Sequence, residues 1–531
     1  MSFNLTNFQY LNKLSMMILP QFRHRHRLSM DRAQMRRSAR QTFKTMLILA
    51  AAGLVCSSCA STSKFNAGEK GASLREISSS RLPAEIDKVL DDTLLLPAFI
   101  GIKIVTADNG AIMYQRNSHK LFHPASNMKL LTTATALRKL GPDYVFKTVV
   151  TADTPAENGV LRGNLYISGI GDPLMKTSHL DSLAAELSAS GVSRITGDII
   201  GNASCFDDLF WGSGWMWDDE PSTDAAFITP LTVNSNSVVI SVTPGRQPGD
   251  TVGFSVEPPT EVITIVNEGI TSTDTALPEM SVDRVKRDNI VHVKGRMSPG
   301  SARQEFPISV WRPELYFLDL LKHCFSAHNV SIAGSMRLDT LHGAHLLGTI
   351  SHPLDSVLQQ INKPSDNLGA ENLLKLLAKE LRGQRGSTAV GLSIVKSYLF
   401  DAGVDTTKII LADGSGLSWY NAISPDAVIH LLSEQYRHKE TFNHFYESLP
   451  IAGVDGTLKN RMKGTRAEGN VHAKTGSLTG VSSLSGYVKT ADGTTLLFSI
   501  MCNHFPGDIS ALRNAQNHIL ELLADTNFNM P

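Results

Sequence analysis

From about residue 148 to 341 the chain abandons the mixed helix and strand pattern that it shows on either side. Before that stretch, residues 82–94 carry Ile86, Val89 and Leu90 on one helical face. Residues 99–107 and 111–115 are short apolar runs around Asp108-Asn109-Gly110, a hairpin signal. A predicted helix over 127–140 follows and is stopped by Gly141-Pro142. After the stretch, residues 367–381 set Leu373, Leu374, Leu377 and Leu381 at helical spacing, ended by Gly383. A second hairpin is expected where 487–490 and 495–500 flank Ala-Asp-Gly, and 509–523 makes a last amphipathic helix. Inside the stretch, strand-like runs such as 262–266 and 290–294 alternate with Gly/Pro turns. A Trp/Asp-rich segment (Trp211, Trp215, Trp217, Asp218, Asp219) stands apart there. The pattern predicts an α/β unit split by a β-rich insertion.

Size agrees with several domains, since 531 residues exceed what one hydrophobic core supports. Apolar residues at 42% and charged residues at 19% exclude disordered, collagen-like and polytopic membrane classes. The net charge of zero, from 50 basic and 50 acidic side chains, excludes nucleic-acid binding driven by global positive charge. It is nonetheless an average of two unlike pieces. Residues 1–58 hold nine basic side chains against Asp31, a charge of +8, which leaves −8 on residues 59–531.

The basic piece reads as an export leader. Arg36, Arg37, Arg40 and Lys44 precede an uncharged run of 11 residues, Thr45 to Val55. As a helix that run rises about 17 Å, too short for a hydrocarbon core of ~30 Å but suited to a signal-peptide core. Cys59 after Ser57-Ser58 resembles a lipoprotein processing site, although Cys56 stands where an aliphatic residue is usual. Lipidation at Cys59 and cleavage without it are the two alternatives, and the expected location is the periplasm, with the membrane reached only through that anchor. Residues 59–80 read as a Ser/Thr/Gly-rich tether. The three later cysteines, Cys205, Cys324 and Cys502, are far apart and have no metal-ligand spacing, so neither disulfides nor a zinc site is expected.

The chemistry concentrates in three short motifs. Ser126-Asn-Met-Lys129 puts a hydroxyl and an amine on one helical face. At a helix start the free N–H groups favour an oxyanion, and a lysine whose pKa is lowered can take the serine proton. The same spacing recurs at Ser61–Lys64 and Ser393–Lys396 without that setting. Ser365-Asp-Asn367 opens the later helix, where it can point two polar groups into a cleft or simply cap the helix. Lys474-Thr475-Gly476 precedes the second hairpin. Lysine and threonine on a strand edge can hold a carboxylate, and glycine admits a close backbone. A surface turn is the plainer alternative. Together and in this order the three match the signature of penicillin-binding proteins and class A β-lactamases.

The flanking runs narrow that match. Tyr166-Ile-Ser-Gly-Ile-Gly-Asp-Pro173, Leu231-Thr-Val-Asn-Ser-Asn236, Asp413-Gly-Ser-Gly-Leu-Ser418 and Gly453-Val-Asp-Gly-Thr457 accompany them, with 235 residues between Lys129 and Ser365. The chain resembles the serine D-alanyl-D-alanine carboxypeptidases/endopeptidases among the class C low-molecular-mass penicillin-binding proteins. The resemblance implies a β-lactamase/transpeptidase-like α/β catalytic domain over 81–147 and 342–531. It also implies a β-rich inserted domain over 148–173 and 230–341, and a small third domain nested at 174–229. Two positions depart from the family: Trp419 stands where Arg is frequent, and Ser477 where Thr is common.

By that resemblance, Ser126 attacks the D-Ala-D-Ala carbonyl of a peptidoglycan stem peptide, Lys129 takes its proton and Ser365 protonates the leaving amine. Asn367 would bind the acyl-side amide, and Lys474 with Thr475 the terminal carboxylate, beside Gly476. Backbone N–H groups of Ser126 and Ser477 would form the oxyanion hole. Asp413 and Asp455 are expected to fix loops. The implied partners are stem peptides, cross-links and covalently inhibiting β-lactams, with no nucleic acid, no metal and no organic cofactor. A β-lactamase or esterase on the same scaffold, or a non-catalytic wall-binding lipoprotein, are the rival readings.

Overall fold

The computed structural model describes residues 76–530. The leader over 1–58, Cys59, the Ser61–Lys64 pair and nearly all of the tether lie outside the described residues.

The catalytic half is built on a five-stranded antiparallel sheet. Its order is His472–Leu478, Val481–Lys489, Thr495–Asn503, Phe99–Thr106 and Ile112–Arg116. Both predicted hairpins are therefore neighbours in one sheet, and the segments before and after the insertion meet at Phe99–Thr106. Alternation along a strand sends successive side chains to opposite faces. Phe498, Ile500 and Cys502 pack with the helices Leu82–Leu90 and Ser510–Asp525. Leu497 and Met501 face the other way, into a core with Leu131, Leu373, Val428 and Leu432. On that second face Ser499 and Ser485 are fully buried and satisfy one another at 2.9 Å. The sheet is covered on both faces, with the helix Met128–Leu140 buried almost throughout.

The insertion is less purely β than its sequence texture predicts. Val145–Ala152, Leu165–Ser168, Ile199–Asn202, Met336–Leu338 and His345–Pro353 form a mixed five-stranded sheet. Two helices, Thr177–Ala189 and Pro313–Ala327, share its core through Leu180, Leu183, Leu187, Phe317 and Leu321. Between them, the strands of residues 237–309 pair only with one another, in two three-stranded sheets and one pair.

The packing around the nested unit expected at 174–229 runs across its edges. Ile195 and Ile199 are buried in the same core as Val150 and Ile167, so a boundary at 174 would cut a hydrophobic layer. The self-paired strands lie at 237–309. The Trp/Asp-rich segment is a long irregular connection whose Phe206, Trp215 and Ala225 join the core of the catalytic half.

Candidate active site

The nucleophile candidate sits at a strained start of a helix. A 3-10 turn, Ala125–Asn127, leads directly into Met128–Leu140, with Ala125 at a left-handed φ of 47°. Such conformations are costly for non-glycine residues and concentrate at functional sites. Ser365 shares the feature, at φ 72°, just before the helix Asn367–Arg382. The side chain of Asp366 caps that helix by accepting from Gly369 N at 2.9 Å. The cap and the site are therefore both realised in Ser365-Asp-Asn367, on adjacent residues.

The three motifs converge on one point. Lys129 Nζ lies 3.0 Å from Ser126 Oγ, 2.5 Å from Asn367 Oδ1 and 2.8 Å from the Ser415 carbonyl. Lys474 Nζ lies 2.9 Å from Ser365 Oγ and 3.0 Å from the carbonyl of Thr475. Both lysines are fully buried. Burial pushes Lys129 down to about 8, against the opposing pull of Asp413, Asp366, Glu371 and Asp224. Burial and then the charge of Lys129 push Lys474 well below the ordinary lysine range. At a pKa of about 8, roughly a tenth of Lys129 is neutral at pH 7, which an ordinary lysine is not.

Gly476 shows why its motif needs glycine, and the reason differs from the sequence reading. A Cβ there would stand 2.2 Å from Ser483 Oγ, 2.6 Å from the Pro124 carbonyl and 3.0 Å from Ser126 N. The space belongs to the chain's own Ser126 segment rather than to a ligand's backbone. Ser483 Oγ donates to that same Pro124 carbonyl at 2.6 Å, and Asn127 Nδ2 to the Lys474 carbonyl at 2.9 Å. Strand and helix start are thus riveted together beside Ser126.

A cleft of about 640 Å³ opens over this point. It is lined by Ser126, Ser365, Asn367, Thr475, Gly476 and Ser477, among others. Thr475 Oγ1 donates to Thr457 Oγ1 at 2.7 Å, which brings in the Gly453–Thr457 run. Asn367 Nδ2 donates to the Asp224 carbonyl at 2.8 Å, so the long connection of the insertion closes one end. His472–Leu478 is an edge strand, and an unpaired strand edge can take an extended peptide. Trp419 packs edge-on against His123 at 5.3 Å and is not among the residues that line the cleft.

Buried acids hold the loops behind the site. Buried Asp413 accepts from Gly416 N, Ser418 N, Asn421 Nδ2 and Trp215 Nε1, at 2.6–3.0 Å, so it does fix its loop. Asp455 likewise accepts from Ile451 N at 2.9 Å and meets Lys363 Nζ at 2.5 Å. Glu371, a lone acid inside an apolar helical pattern, is fully buried behind Ser415 and was missed. Ser393 of the other Ser-x-x-Lys pair is exposed and bonds Val390 O in its own helix. Among the described residues, His and acid side chains close enough to share an ion are Glu261, Asp319 and His323, and none lines the cleft.

A family model for the D-Ala-D-Ala carboxypeptidase 3 (S13) family matches residues 82–526, across both halves of the split site. The chain belongs to this family. It is a serine-type D-Ala-D-Ala carboxypeptidase. A D-alanyl-D-alanine carboxypeptidase of an Actinomadura species is 34% identical over 458 residues, covering 83% of each chain. The D-alanyl-D-alanine carboxypeptidase DacB of Haemophilus influenzae is 29% identical, covering 80% of this chain and 90% of that one. The crystal structure of penicillin binding protein 4 from Haemophilus influenzae aligns with a TM-score of 0.75 at 26% identity. That alignment covers 83% of this chain and 99% of the other, so the α/β multi-sheet fold is shared. A second crystal structure of that protein holds a β-lactam.

Proposed function

We propose that this S13 carboxypeptidase acts through an acyl-enzyme on Ser126, with Lys129 as the base. The observation that carries this reading is the buried Lys129 amine at 3.0 Å from Ser126 Oγ with its pKa lowered to about 8. A neutral amine at that distance can accept the hydroxyl proton as Oγ attacks the D-Ala-D-Ala carbonyl. The Oγ–C bond forms, and the negative charge falls on the carbonyl oxygen, beside the backbone N–H groups of Ser126 and Ser477. Ser365, bonded to Lys474, relays the proton that Lys129 took to the departing nitrogen as the C–N bond breaks, which returns Lys129 to its neutral form. Water then cleaves the ester, returning Ser126 and releasing the shortened stem peptide.

Asn367 would exchange its bond to Asp224 for the amide on the acyl side, and Thr475 would exchange Thr457 for the terminal carboxylate. The same chemistry extends to cross-links, where the leaving amine belongs to a neighbouring stem, and so to DD-endopeptidase activity. β-Lactams would acylate Ser126 and stay as esters. The basic leader and its short apolar run support export to the periplasm, with Cys59 as the lipid attachment if one is made.

The test is covalent labelling with a fluorescent penicillin together with D-alanine release from a pentapeptide. Wild type should do both. Ser126→Ala should do neither, and labelling that survives in it sinks the assignment.

A further inference from the structure

The cleft continues past Ser477, beyond the residues that the proposed mechanism uses. Its far end is lined by Arg461, Arg513, Asn460, Asn514, Asn517 and Ser510. Arg461 Nε donates to Asn517 Oδ1 at 2.7 Å, and its Nη2 to Gln516 Oε1 at 3.2 Å and to the Arg513 carbonyl at 3.3 Å. Arg513 Nη2 donates to Ser477 Oγ at 3.3 Å. All of these acceptors are neutral. Neither guanidinium has a carboxylate within 4.0 Å among the described residues. The nearby Asp508 accepts from Ser510 N and Oγ and acts on Arg513 only beyond ion-pair distance. The acid that lines the cleft, Asp224, stands at the opposite end beside Asn367.

Arg461 is half-buried and Arg513 exposed, and a partly buried cation beside a like charge, with no counter-ion in contact, is unfavourable. Burial and the charge of Arg513 together push the Arg461 guanidinium down to about 10. The neutral acceptors hold Arg461 in place and leave its charge uncompensated. Such an arrangement is stabilised by an anion from outside, and guanidinium groups suit carboxylates.

Position in the cleft says which carboxylate. Ser477 lies two residues beyond Thr475 on an extended strand, about 7 Å further along. A single D-alanine leaving group ends at the carboxylate held by Thr475 and does not extend that far. A leaving group that is part of a neighbouring stem peptide does, and it carries further acidic groups.

We propose that Arg461 and Arg513, with Asn514 and Asn517, form a second anion-binding subsite on the leaving-group side, which takes a carboxylate of the neighbouring acidic peptide of a cross-link. The subsite rests on the mechanism above and gives the enzyme a preference for cross-links over monomeric pentapeptide.

The test compares kcat/KM of the full-length protein on a cross-linked muropeptide dimer with that on a monomeric pentapeptide. In Arg513→Gln the dimer-to-monomer ratio should fall about tenfold, the size of one charge-assisted contact. Arg513→Lys should recover part of it, because it keeps the charge and loses the fork. A dimer with its leaving-side carboxylates amidated should show the lowered ratio already in wild type. An unchanged ratio in Arg513→Gln, or an equal fall on both substrates, overturns the subsite while leaving the Ser126 mechanism standing. Hydrolysis of either substrate by Ser126→Ala overturns the mechanism, and the subsite with it.

Discussion

Glu371 Oε1 accepts from the backbone N–H of Ser415 at 2.7 Å, and the Ser415 carbonyl in turn accepts from Lys129 Nζ at 2.8 Å. The same oxygen takes Gly414 N at 2.9 Å, while Oε2 is buried without a partner. One buried carboxyl thus positions the loop that holds the proposed base. Burial, and secondarily Asp413, push Glu371 up to about 8.

A carboxyl raised in the folded state makes folding favour its protonated form. Its contribution is fully present below the unfolded pKa, near 4.5, and is lost as pH rises through about 8. Glutamine keeps the accepting oxygen and removes the titration. Glu371→Gln should therefore gain in Tm relative to wild type as pH goes from 5 to 8. Thermal melts across that range check it, and a constant difference would show that Glu371 does not titrate there.

Acylation by a penicillin should quicken as pH rises, reach half its limit near 8 and level off above that, as Lys129 loses its proton. Lys129→Arg, which stays charged at every working pH, should acylate at least about 100-fold more slowly at pH 8. Stopped-flow acylation between pH 5 and 9.5 gives both results. A flat profile would remove Lys129 as the base.

Gly476→Ala places a methyl group 2.2 Å from Ser483 Oγ and 2.6 Å from the Pro124 carbonyl. Overpacking of this kind costs about 1–3 kcal/mol, and here it pushes apart the strand and the nucleophile turn. Chemical denaturation should show that loss, and penicillin labelling should be nearly abolished even in the folded fraction. Gly493→Ala, at a turn with open space around it and φ 87°, is the control for backbone strain alone.

Trp215 Nε1 donates to Asp413 Oδ2 at 3.0 Å, and its ring is buried in the core of the catalytic half. Trp215→Ala removes both and should cost about 3–5 kcal/mol. Trp215→Phe keeps most of the packing and should cost about 1 kcal/mol. Denaturant unfolding separates the two, and limited proteolysis should cut residues 203–230 faster in the alanine variant.

Much of the site was legible because its chemistry lies in contiguous motifs. Ser126 and Lys129 are one helical turn apart, and Lys474 to Ser477 run along one strand, so local geometry brings each group together. Both sheet hairpins were marked by turn residues, and Asn367–Arg382 by its leucines and terminal Gly383. The helices Thr177–Ala189 and Pro313–Ala327 were overlooked, although Leu180, Leu183 and Leu187 carry helical spacing. Surrounding Gly/Pro turns and strand-like runs had set the texture of the whole stretch. The Trp/Asp-rich segment stands apart by composition alone, which does not show that its Phe206, Trp215 and Ala225 pack into the core of the catalytic half.

Sequence by itself therefore determined the family, the split of the sheet and the identity of the three motifs, since each depends on residue type at short spacing. Only the tertiary structure decided that the strands of 237–309 pair among themselves and that Trp215 reaches across to Asp413. It alone showed that Gly476 yields its space to Ser483, that Glu371 stands behind Ser415, and that Arg461 and Arg513 share one end of a cleft with no carboxylate in contact with either guanidinium. Those relations join residues up to about 200 positions apart. They exist through burial, which sets which charges meet, loses their water and shifts their proton affinities.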